Sequence, residues 1–362
     1  MSRIYSYNLA FSTSLLSVLT LVTVGTVPVQ AASFDSHFNQ IFVFSDSLSD
    51  PGNLFKITSN YTEIPVPESP FSYEGRFSDG PIWVEYFTPK FGLNLTPVTS
   101  PIQSEDGTNF AIGGATSGDN NTINVLRPDI SEPLPGLTQQ LNYFIEPLLA
   151  TNQSANSEAL YVVWAGANDY VRNFLLGLDS DPTIPVNNIS NAVQSLYDVG
   201  ARNFLLLNIP GLGNTPFALN FGLQQPLNEL TAAHNFLLNS AVDGLNESLP
   251  EANITLVDVN AIFNNILENP GEFGYTNVTD SWINAVTACL QVNCEELPNP
   301  DEYIFWDLIH PTTATHEIIA DVAYSTVQSQ FPKVPEPTST LALTMLGLGF
   351  LFNQISSHRR KN

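Results

Sequence analysis

The chain has 362 residues and a net charge of −24, because it contains 35 acidic and 11 basic residues. A surface this acidic repels nucleic acid and anionic lipid head groups, so nucleic-acid binding is excluded as the expected function. Between the two chain ends about 300 residues remain without a Gly/Ser linker or charge block to divide them, which predicts one large domain.

The amino end has the features of an export signal. Arg3 precedes an apolar-to-small stretch over residues 9–24, and Val29-Gln30-Ala31 offers a small-residue cleavage pattern. These features predict a secretory signal peptide over residues 1–31, which is removed from the mature protein. The expected location is therefore extracytoplasmic.

The first strand signal is the apolar run over residues 41–44, which breaks abruptly into Ser45-Asp46-Ser47-Leu48-Ser49-Asp50-Pro51-Gly52-Asn53. A small hydroxyl therefore follows a strand end. In parallel sheets this position holds a nucleophile rigidly and still exposes it. Ser47 is the candidate nucleophile, although the same pattern also fits an ordinary turn.

Two glycine-containing segments follow. Residues 75–81 lead through Pro81 into a helix predicted over 82–87, and Asp79 or one of its neighbours is a candidate to cap that helix. Residues 109–117 are largely apolar and contain paired glycines, where the backbone N–H of Gly114 can approach a ligand because no side chain intervenes. A simple glycine turn is the alternative.

The middle of the chain alternates strands with helices. The apolar run over residues 160–164 is typical of a buried parallel strand and is followed by Gly166-Ala167-Asn168-Asp169. The alternation predicts a parallel sheet covered by helices on both faces. The patterns predict strands over residues 41–44, 95–98, 160–164, 204–209 and 254–259, and helices over 136–150, 190–199, 222–246 and 313–328.

The last strand signal runs into Asp307-Leu308-Ile309-His310-Pro311. Asp307 and His310 are three residues apart, so a single loop can bring their side chains into contact. An Asp bonded to one ring nitrogen fixes the tautomer of His310 and leaves the other nitrogen free as a base. The pair alone is weak support, since many such pairs lie in surface loops.

The other histidines lack such a partner. His316-Glu317 resembles half of a zinc-protease motif, but position 320 is Ala, so we expect a surface pair on a helix. His37 and His234 have no nearby set of partners and are expected to be structural.

Cys289 and Cys294 are the only cysteines. They lie five positions apart in a loop-like segment, and in an oxidising compartment they predict a local disulfide. Two thiols without a neighbouring histidine would make a poor zinc site.

Four blocks resemble the GDSL/SGNH hydrolase family, from residue 41 to about residue 328. They are residues 44–53, 109–117, 166–169 and 307–311. Residues 75–86 are similar to the secreted esterases, lipases and lecithinase/haemolysin-like enzymes of that family. The resemblance implies a three-layer α/β/α, flavodoxin-like fold whose central parallel sheet has about five strands.

The resemblance also implies the role of each candidate residue. Ser47 is the nucleophile, His310 relays the proton, and Asp307 orients His310. The backbone N–H groups of Ser47 and Gly114 and the side-chain amide of Asn168 form the oxyanion hole. One position departs from the family pattern: Ser45 stands where the family usually has its first glycine.

The implied function is hydrolysis of a small-molecule or lipid carboxylic ester through an acyl-enzyme, with no metal and no other cofactor. Two alternatives stay open. A carbohydrate O-deacetylase would use the same triad, because the triad acts on the acyl carbon, and a non-catalytic exopolymer- or surface-binding protein would share the fold. The Gly-x-Ser-x-Gly elbow of the α/β-hydrolases is absent, which disfavours that fold.

Apolar residues in two Pro-rich segments are candidates for a lid or an acyl-binding wall. The alternative for them is plain packing. They are Leu54, Phe55, Ile57, Ile64, Phe174, Leu175, Leu176 and Leu178.

The carboxyl end, residues 333–362, contains Val334-Pro335-Glu336-Pro337, an uncharged apolar run over 341–352 and a basic end at 358–361. The apolar run is too short for a permanent membrane span, which needs about 20 residues. The segment resembles the PEP-CTERM sorting signal of bacterial exported proteins. The resemblance implies a transient membrane association, recognition by an exosortase with removal of the segment after Pro337 or nearby, and a cell-envelope or secreted location, with signal peptidase as the processing enzyme at the amino end. A simple tail anchor or a disordered end is the alternative. The hydrolase domain would then comprise residues 32–332.

Overall fold

A parallel sheet forms the middle layer of the computed structural model, which describes residues 38–68, 71–292 and 296–331. The predicted signal peptide over residues 1–31, the sorting segment over 333–362, His37 and Cys294 lie outside the described residues. The sheet has six strands in the order β2-β3-β1-β4-β5-β6. The strands are β1 Ile41–Ser45, β2 Thr96–Pro97, β3 Thr108–Asn109, β4 Leu160–Trp164, β5 Asn203–Leu207 and β6 Asn253–Val257.

The connections between the strands are mostly helical, as parallel pairing requires. A second, two-stranded parallel sheet is formed by β7 Asn277–Ser281 and β8 Tyr303–Phe305. The helices are α1 Asn53–Thr58, α2 Trp83–Phe87, α3 Ile123–Leu126, α4 Leu137–Ala150, α5 Ala167–Leu176, α6 Thr183–Asp198, α7 Pro216–Phe221, α8 Gln224–Ser248, α9 Val259–Glu268, α10 Trp282–Val292 and α11 Thr313–Gln330.

Helices cover both faces of the central sheet because successive strand residues point to opposite faces. Every residue of β4 is buried. Val162 and Trp164 pack in a core that includes residues of α2, α9 and α11. Tyr161 and Val163 pack in a second core with residues of α4, α6 and α8. The predicted three-layer α/β/α class is therefore confirmed.

The predicted strand order is also confirmed, with one strand added. β3 lies between β2 and β1 and has only two residues, Thr108 and Asn109. A two-residue strand has no apolar run of its own, and it exists because it pairs with Val43 of β1 and with both residues of β2. A strand of two polar residues cannot be predicted from apolar runs in the sequence.

Several helices were not predicted, and the largest difference is the segment expected to be a loop around the cysteines. It contains helix α10, and Cys289 is buried on it and disulfide-bonded. The pairing with Cys294 stays a prediction, since Cys294 lies outside the described residues. Helix α5 begins inside the Gly-Ala-Asn-Asp block, which reads as a loop because it is rich in turn-forming residues.

The described residues contain no helix with both the length and the apolar content of a membrane span.

Phe204 of strand β5 allows a test of the packing. Its side chain is fully buried in the core formed with α4, α6 and α8. We expect Phe204→Ala to lower the free energy of unfolding by about 3–5 kcal/mol, through lost burial and the cavity left behind. The matched control is Phe236→Ala on α8, which is 71 % exposed and should change stability by no more than about 0.5 kcal/mol. Urea denaturation of both variants measures the difference, and equal effects would contradict the assigned core.

Candidate active site

Ser47 lies in the turn that directly follows strand β1. The backbone N–H of Ser49 donates to the carbonyl of Asp46 at 3.1 Å, which closes the turn. Ser47 is only 7 % exposed, and its Oγ lies 2.8 Å from Nε2 of His310. The strand end therefore holds the hydroxyl in place beside a base.

Gln140 of helix α4 holds the end of β1 in register. Its buried side chain accepts a hydrogen bond from the Ser45 N–H at 2.9 Å and donates one to the Ser45 carbonyl at 2.8 Å. Both backbone groups at the position that departs from the family pattern are thus paired. The Ser45 hydroxyl, which is also buried, has no hydrogen-bond partner among the described residues. No motif signals Gln140, because it lies 95 residues from Ser45.

Asp307 and His310 lie in the loop between β8 and α11. Oδ2 of Asp307 lies 2.7 Å from Nδ1 of His310, and its Oδ1 accepts from the backbone N–H groups of Ile309 and His310. The loop thus folds around the carboxylate. The ring of Phe77 packs against the imidazole, with ring centroids 4.8 Å apart. His310 therefore connects Asp307 on one side to Ser47 on the other.

Residues 78 and 79 anchor this loop from a distant part of the chain. The Ser78 hydroxyl donates to the carbonyl of Pro311 at 3.0 Å, and Asp79 Oδ1 accepts from the N–H of Thr313 at 2.7 Å. Asp79 therefore binds the start of α11. The prediction that it caps the helix after Pro81 is wrong, since that helix begins at Trp83 and Glu85 accepts from the N–H of Ile82 instead.

The charges in the site act on one another. Burial disfavours the charged imidazolium of His310, but the charge and hydrogen bond of Asp307, with the charge of Asp46, outweigh it and raise the pKa of His310. Burial alone would raise the pKa of Asp307, whereas His310 and the loop N–H groups hold it below its ordinary value. Burial raises the pKa of Asp46 to about 6.

Gly114 and Asn168, the other two residues predicted for the oxyanion hole, line the same cavity as Ser47 and His310. Gly114 has φ +76°, and a Cβ there would lie 2.6 Å from Oδ1 of Asn121, so only glycine fits. Asn168 is in the first turn of α5, and its Nδ2 donates to Oδ2 of Asp46 at 3.2 Å. The structure therefore brings all five predicted site residues to one edge of the sheet.

Asp50 is a supporting residue that motif analysis did not identify. It is fully buried, and its Oδ2 accepts from the N–H groups of Gly113 at 2.7 Å and Leu54 at 3.0 Å. Its Oδ1 accepts from the N–H groups of Gly52 and Asn53. Burial raises the pKa of Asp50 to about 6 although these four donors oppose the shift. One carboxylate thus ties the nucleophile turn to the residue before Gly114.

A cavity of about 310 Å³ opens beside Ser47. None of the eight residues expected to form the acyl wall lines it, so that prediction is wrong. Leu54 is buried in a small core with Phe77, and Phe174 packs against Phe217 with ring centroids 5.6 Å apart. The lining is largely apolar and comes mainly from other segments, including residues of the chain's last third such as Phe263 and Ile319.

His316 and His234 are both buried. The expected surface pair of His316 with Glu317 is wrong for His316, since it faces the core while Glu317 is exposed. Burial lowers the pKa of His316 to about 3, and the charge of His310 acts in the same direction. His234 Nδ1 lies 2.9 Å from the hydroxyl of Tyr170 on α5, and burial lowers the pKa of His234 to about 4.

Among the residues that the structure describes, no group of three or more His, Cys, Asp or Glu side chains is placed to hold a metal ion.

Comparison with known proteins identifies the family. The model of the GDSL-like lipase/acylhydrolase family matches residues 41–323, which is most of the chain. The chain therefore belongs to this family and is an ester-hydrolysing enzyme.

The two curated relatives described next are each less than 30 % identical to this chain. The chain is 28 % identical over 342 residues to a phosphatidylcholine-sterol acyltransferase of Aeromonas hydrophila, which covers 84 % of this chain and 94 % of the relative. It is 27 % identical over 304 residues to the thermolabile hemolysin of Vibrio parahaemolyticus, with 80 % of this chain and 64 % of the hemolysin covered. Among solved structures, an acetylxylan esterase from Geobacillus stearothermophilus aligns with a TM-score of 0.42 at 14 % identity, over 82 % of this chain and 95 % of that chain.

The pKa of His310 provides a test of the site's electrostatics that does not depend on turnover. NMR titration should place it above about 6.5, the ordinary histidine value. In Asp307→Asn the main charge that raises the pKa is removed while burial remains, so we expect His310 to titrate below that value. His234 is the internal control, and its low pKa should not move. An unchanged His310 pKa in the variant would contradict the assigned pair.

Proposed function

We propose that the protein hydrolyses carboxylic esters with Ser47, His310 and Asp307 as its catalytic triad. The observation that carries the proposal is the continuous chain of contacts from Asp307 Oδ2 to His310 Nδ1, at 2.7 Å, and from His310 Nε2 to Ser47 Oγ, at 2.8 Å. In this arrangement the Asp307 carboxylate accepts a hydrogen bond from the Nδ1–H group of His310, which holds the proton on Nδ1 and leaves Nε2 free to accept the serine proton.

The reaction would proceed in two halves. Ser47 Oγ attacks the ester carbonyl carbon as its proton moves to His310 Nε2, and collapse of the tetrahedral intermediate releases the alcohol, which takes that proton. Water then attacks the acyl-enzyme with His310 as the base, which releases the acid and regenerates Ser47. The N–H groups of Ser47 and Gly114 and the amide of Asn168 would stabilise the negative oxygen in both halves.

The apolar character of the cavity favours a lipid or other apolar ester over a carbohydrate acetate. The names of several relatives support this choice, since one is a phosphatidylcholine-sterol acyltransferase and others are GDSL esterases/lipases of Arabidopsis thaliana. Carbohydrate O-deacetylation would need only a small acyl site. A non-catalytic binding role does not explain why the side chains of Asp307 and His310 are aligned with the hydroxyl of Ser47.

Export and processing belong to the proposal as well, on the strength of the sequence patterns at the two ends. The mature enzyme would begin near Ala32 after signal peptidase cleavage. In a host with an exosortase it would lose the apolar segment after Pro337 and remain in the envelope or the medium. Intact-mass measurement of the exported protein tests this, and retention of residues 359–361 would identify the tail as an anchor instead.

Ser47→Ala should lower kcat by several orders of magnitude, as loss of a triad member generally does. A serine-directed phosphonate should label Ser47 in the folded wild-type protein and should leave the variant unlabelled. Peptide mapping locates the label, and a label on another serine would refute the nucleophile assignment.

EDTA should leave activity intact, because every proposed role is filled by a protein group. Loss of activity that zinc or calcium restores would show a metal dependence.

Asn168→Ala tests the oxyanion hole separately from the triad. Loss of one donor should lower kcat about 10²–10³-fold with little change in KM, since the bond is made to the transition state. Asn173→Ala, on the same helix, is the matched control, because the Asn173 side chain bonds to Asp179 and Ser180 and does not line the cavity. Similar losses in both variants would indicate damage to the helix in place of a lost oxyanion contact.

A further inference from the structure

The cavity beside Ser47 extends from the surface into the protein core. Several of its lining residues are almost fully buried: Trp164 is 1 %, Phe305 2 % and Phe263 5 % exposed. All three belong to the core on the sheet face that α2, α9 and α11 cover. The cavity therefore has an inner end that is enclosed by core side chains. We call this end the inner channel and define it by Leu48, Trp164, Phe263, Ile283, Phe305 and Ile319.

The chemistry of the inner channel suits hydrocarbon. All six defining residues are apolar or aromatic, and the indole N–H of Trp164 donates to the carbonyl of Asn208 at 3.1 Å, so the ring has no free donor to offer a ligand. An apolar cavity without hydrogen-bonding groups holds water poorly and binds apolar molecules well. No side chain that defines the inner channel therefore has a polar group free to bind a ligand.

The inner channel lies beside the nucleophile, since Leu48 follows Ser47 directly. The leaving alcohol must be near His310 Nε2 to receive its proton, and it must escape while the acyl group stays bonded to Ser47. An enclosed channel offers an alcohol no exit, whereas an acyl chain held on Ser47 needs none. The alcohol would leave through the open mouth, which Leu126, 53 % exposed, helps to line.

We propose that the inner channel binds the acyl chain of the substrate, so that the enzyme prefers esters of medium-length fatty acids to acetate esters. This inference rests on the proposed ester hydrolysis at Ser47. An acetyl group would leave the channel unfilled, whereas each methylene of a longer chain would gain burial. The expected gain in kcat/KM is about fourfold for each methylene that enters the channel.

The test is a chain-length series of p-nitrophenyl esters, from acetate to decanoate, with three variants. Ile283 lies in the first turn of α10 and is half-buried, so Ile283→Trp should narrow the channel without placing a large ring in the centre of the core. We expect this variant to lower the octanoate-to-acetate ratio of kcat/KM at least tenfold. Leu290→Trp, on the same helix but 63 % exposed, is the matched control and should keep the wild-type ratio. Leu126→Trp narrows the mouth and should change the ratio less than Ile283→Trp does.

A fourth variant acts in the opposite direction and protects the test against a folding defect. Phe263→Leu should enlarge the channel and shift the preferred chain to a greater length. A ratio that falls in Leu126→Trp but not in Ile283→Trp would place the chain at the mouth and overturn the inference, as would no change in any variant. Wild-type turnover confined to acetate would overturn the inference but leave ester hydrolysis standing. Absence of turnover with every ester would refute both.

Discussion

The contact between His310 and Ser47 joins residues 263 positions apart, and the candidate site depends on holding that distance. Each partner is fixed independently of the other. On the serine side, Gln140 holds the last residue of β1. On the histidine side, Ser78 and Asp79 bind the backbone around the histidine loop. The contact therefore does not rest on the weak energy of one neutral hydrogen bond, which contributes about 1 kcal/mol. It rests on two segments whose positions the surrounding layers determine.

The same edge of the sheet carries an electrostatic cost. Burial raises the pKa values of Asp46 and Asp50 to about 6, so at neutral pH each ionised carboxylate destabilises the fold by an amount on the order of 3 kcal/mol relative to an exposed one. The pKa of Asp307 is shifted in the opposite direction, and its ionised form stabilises the fold above its unfolded pKa. Selection for stability alone would not favour the buried carboxylates of Asp46 and Asp50. Asp46 accepts from the Asn168 amide, which is a proposed oxyanion donor, and Asp50 accepts from the N–H of Gly113, the residue before the proposed donor Gly114.

Sequence patterns predicted those parts of the molecule that local residues determine. Strands such as β4 have continuous apolar runs, and the site residues lie in short blocks whose chemistry is readable, so both were predicted. The parts determined by distant contacts were not. β3 exists only through its neighbours, Gln140 carries no motif, and Asp79 binds a helix more than 200 residues away from it in the chain. The cavity lining was mispredicted for the same reason, since apolar residues near the site in sequence, such as Leu54, pack into separate cores.

The histidine loop and the inner channel share structural elements, which has a consequence for catalysis. Phe305 lines the channel two residues before Asp307, and the N–H of Ile283 donates to the carbonyl of Trp306 at 3.1 Å. A chain that fills the channel would therefore pack against the same backbone that positions Asp307 and His310. Binding energy from a remote part of the substrate could then stabilise the reactive arrangement, which raises kcat as well as lowering KM. An acetate ester has no chain to supply that energy, so on this view short esters would lose rate at the chemical step in addition to affinity.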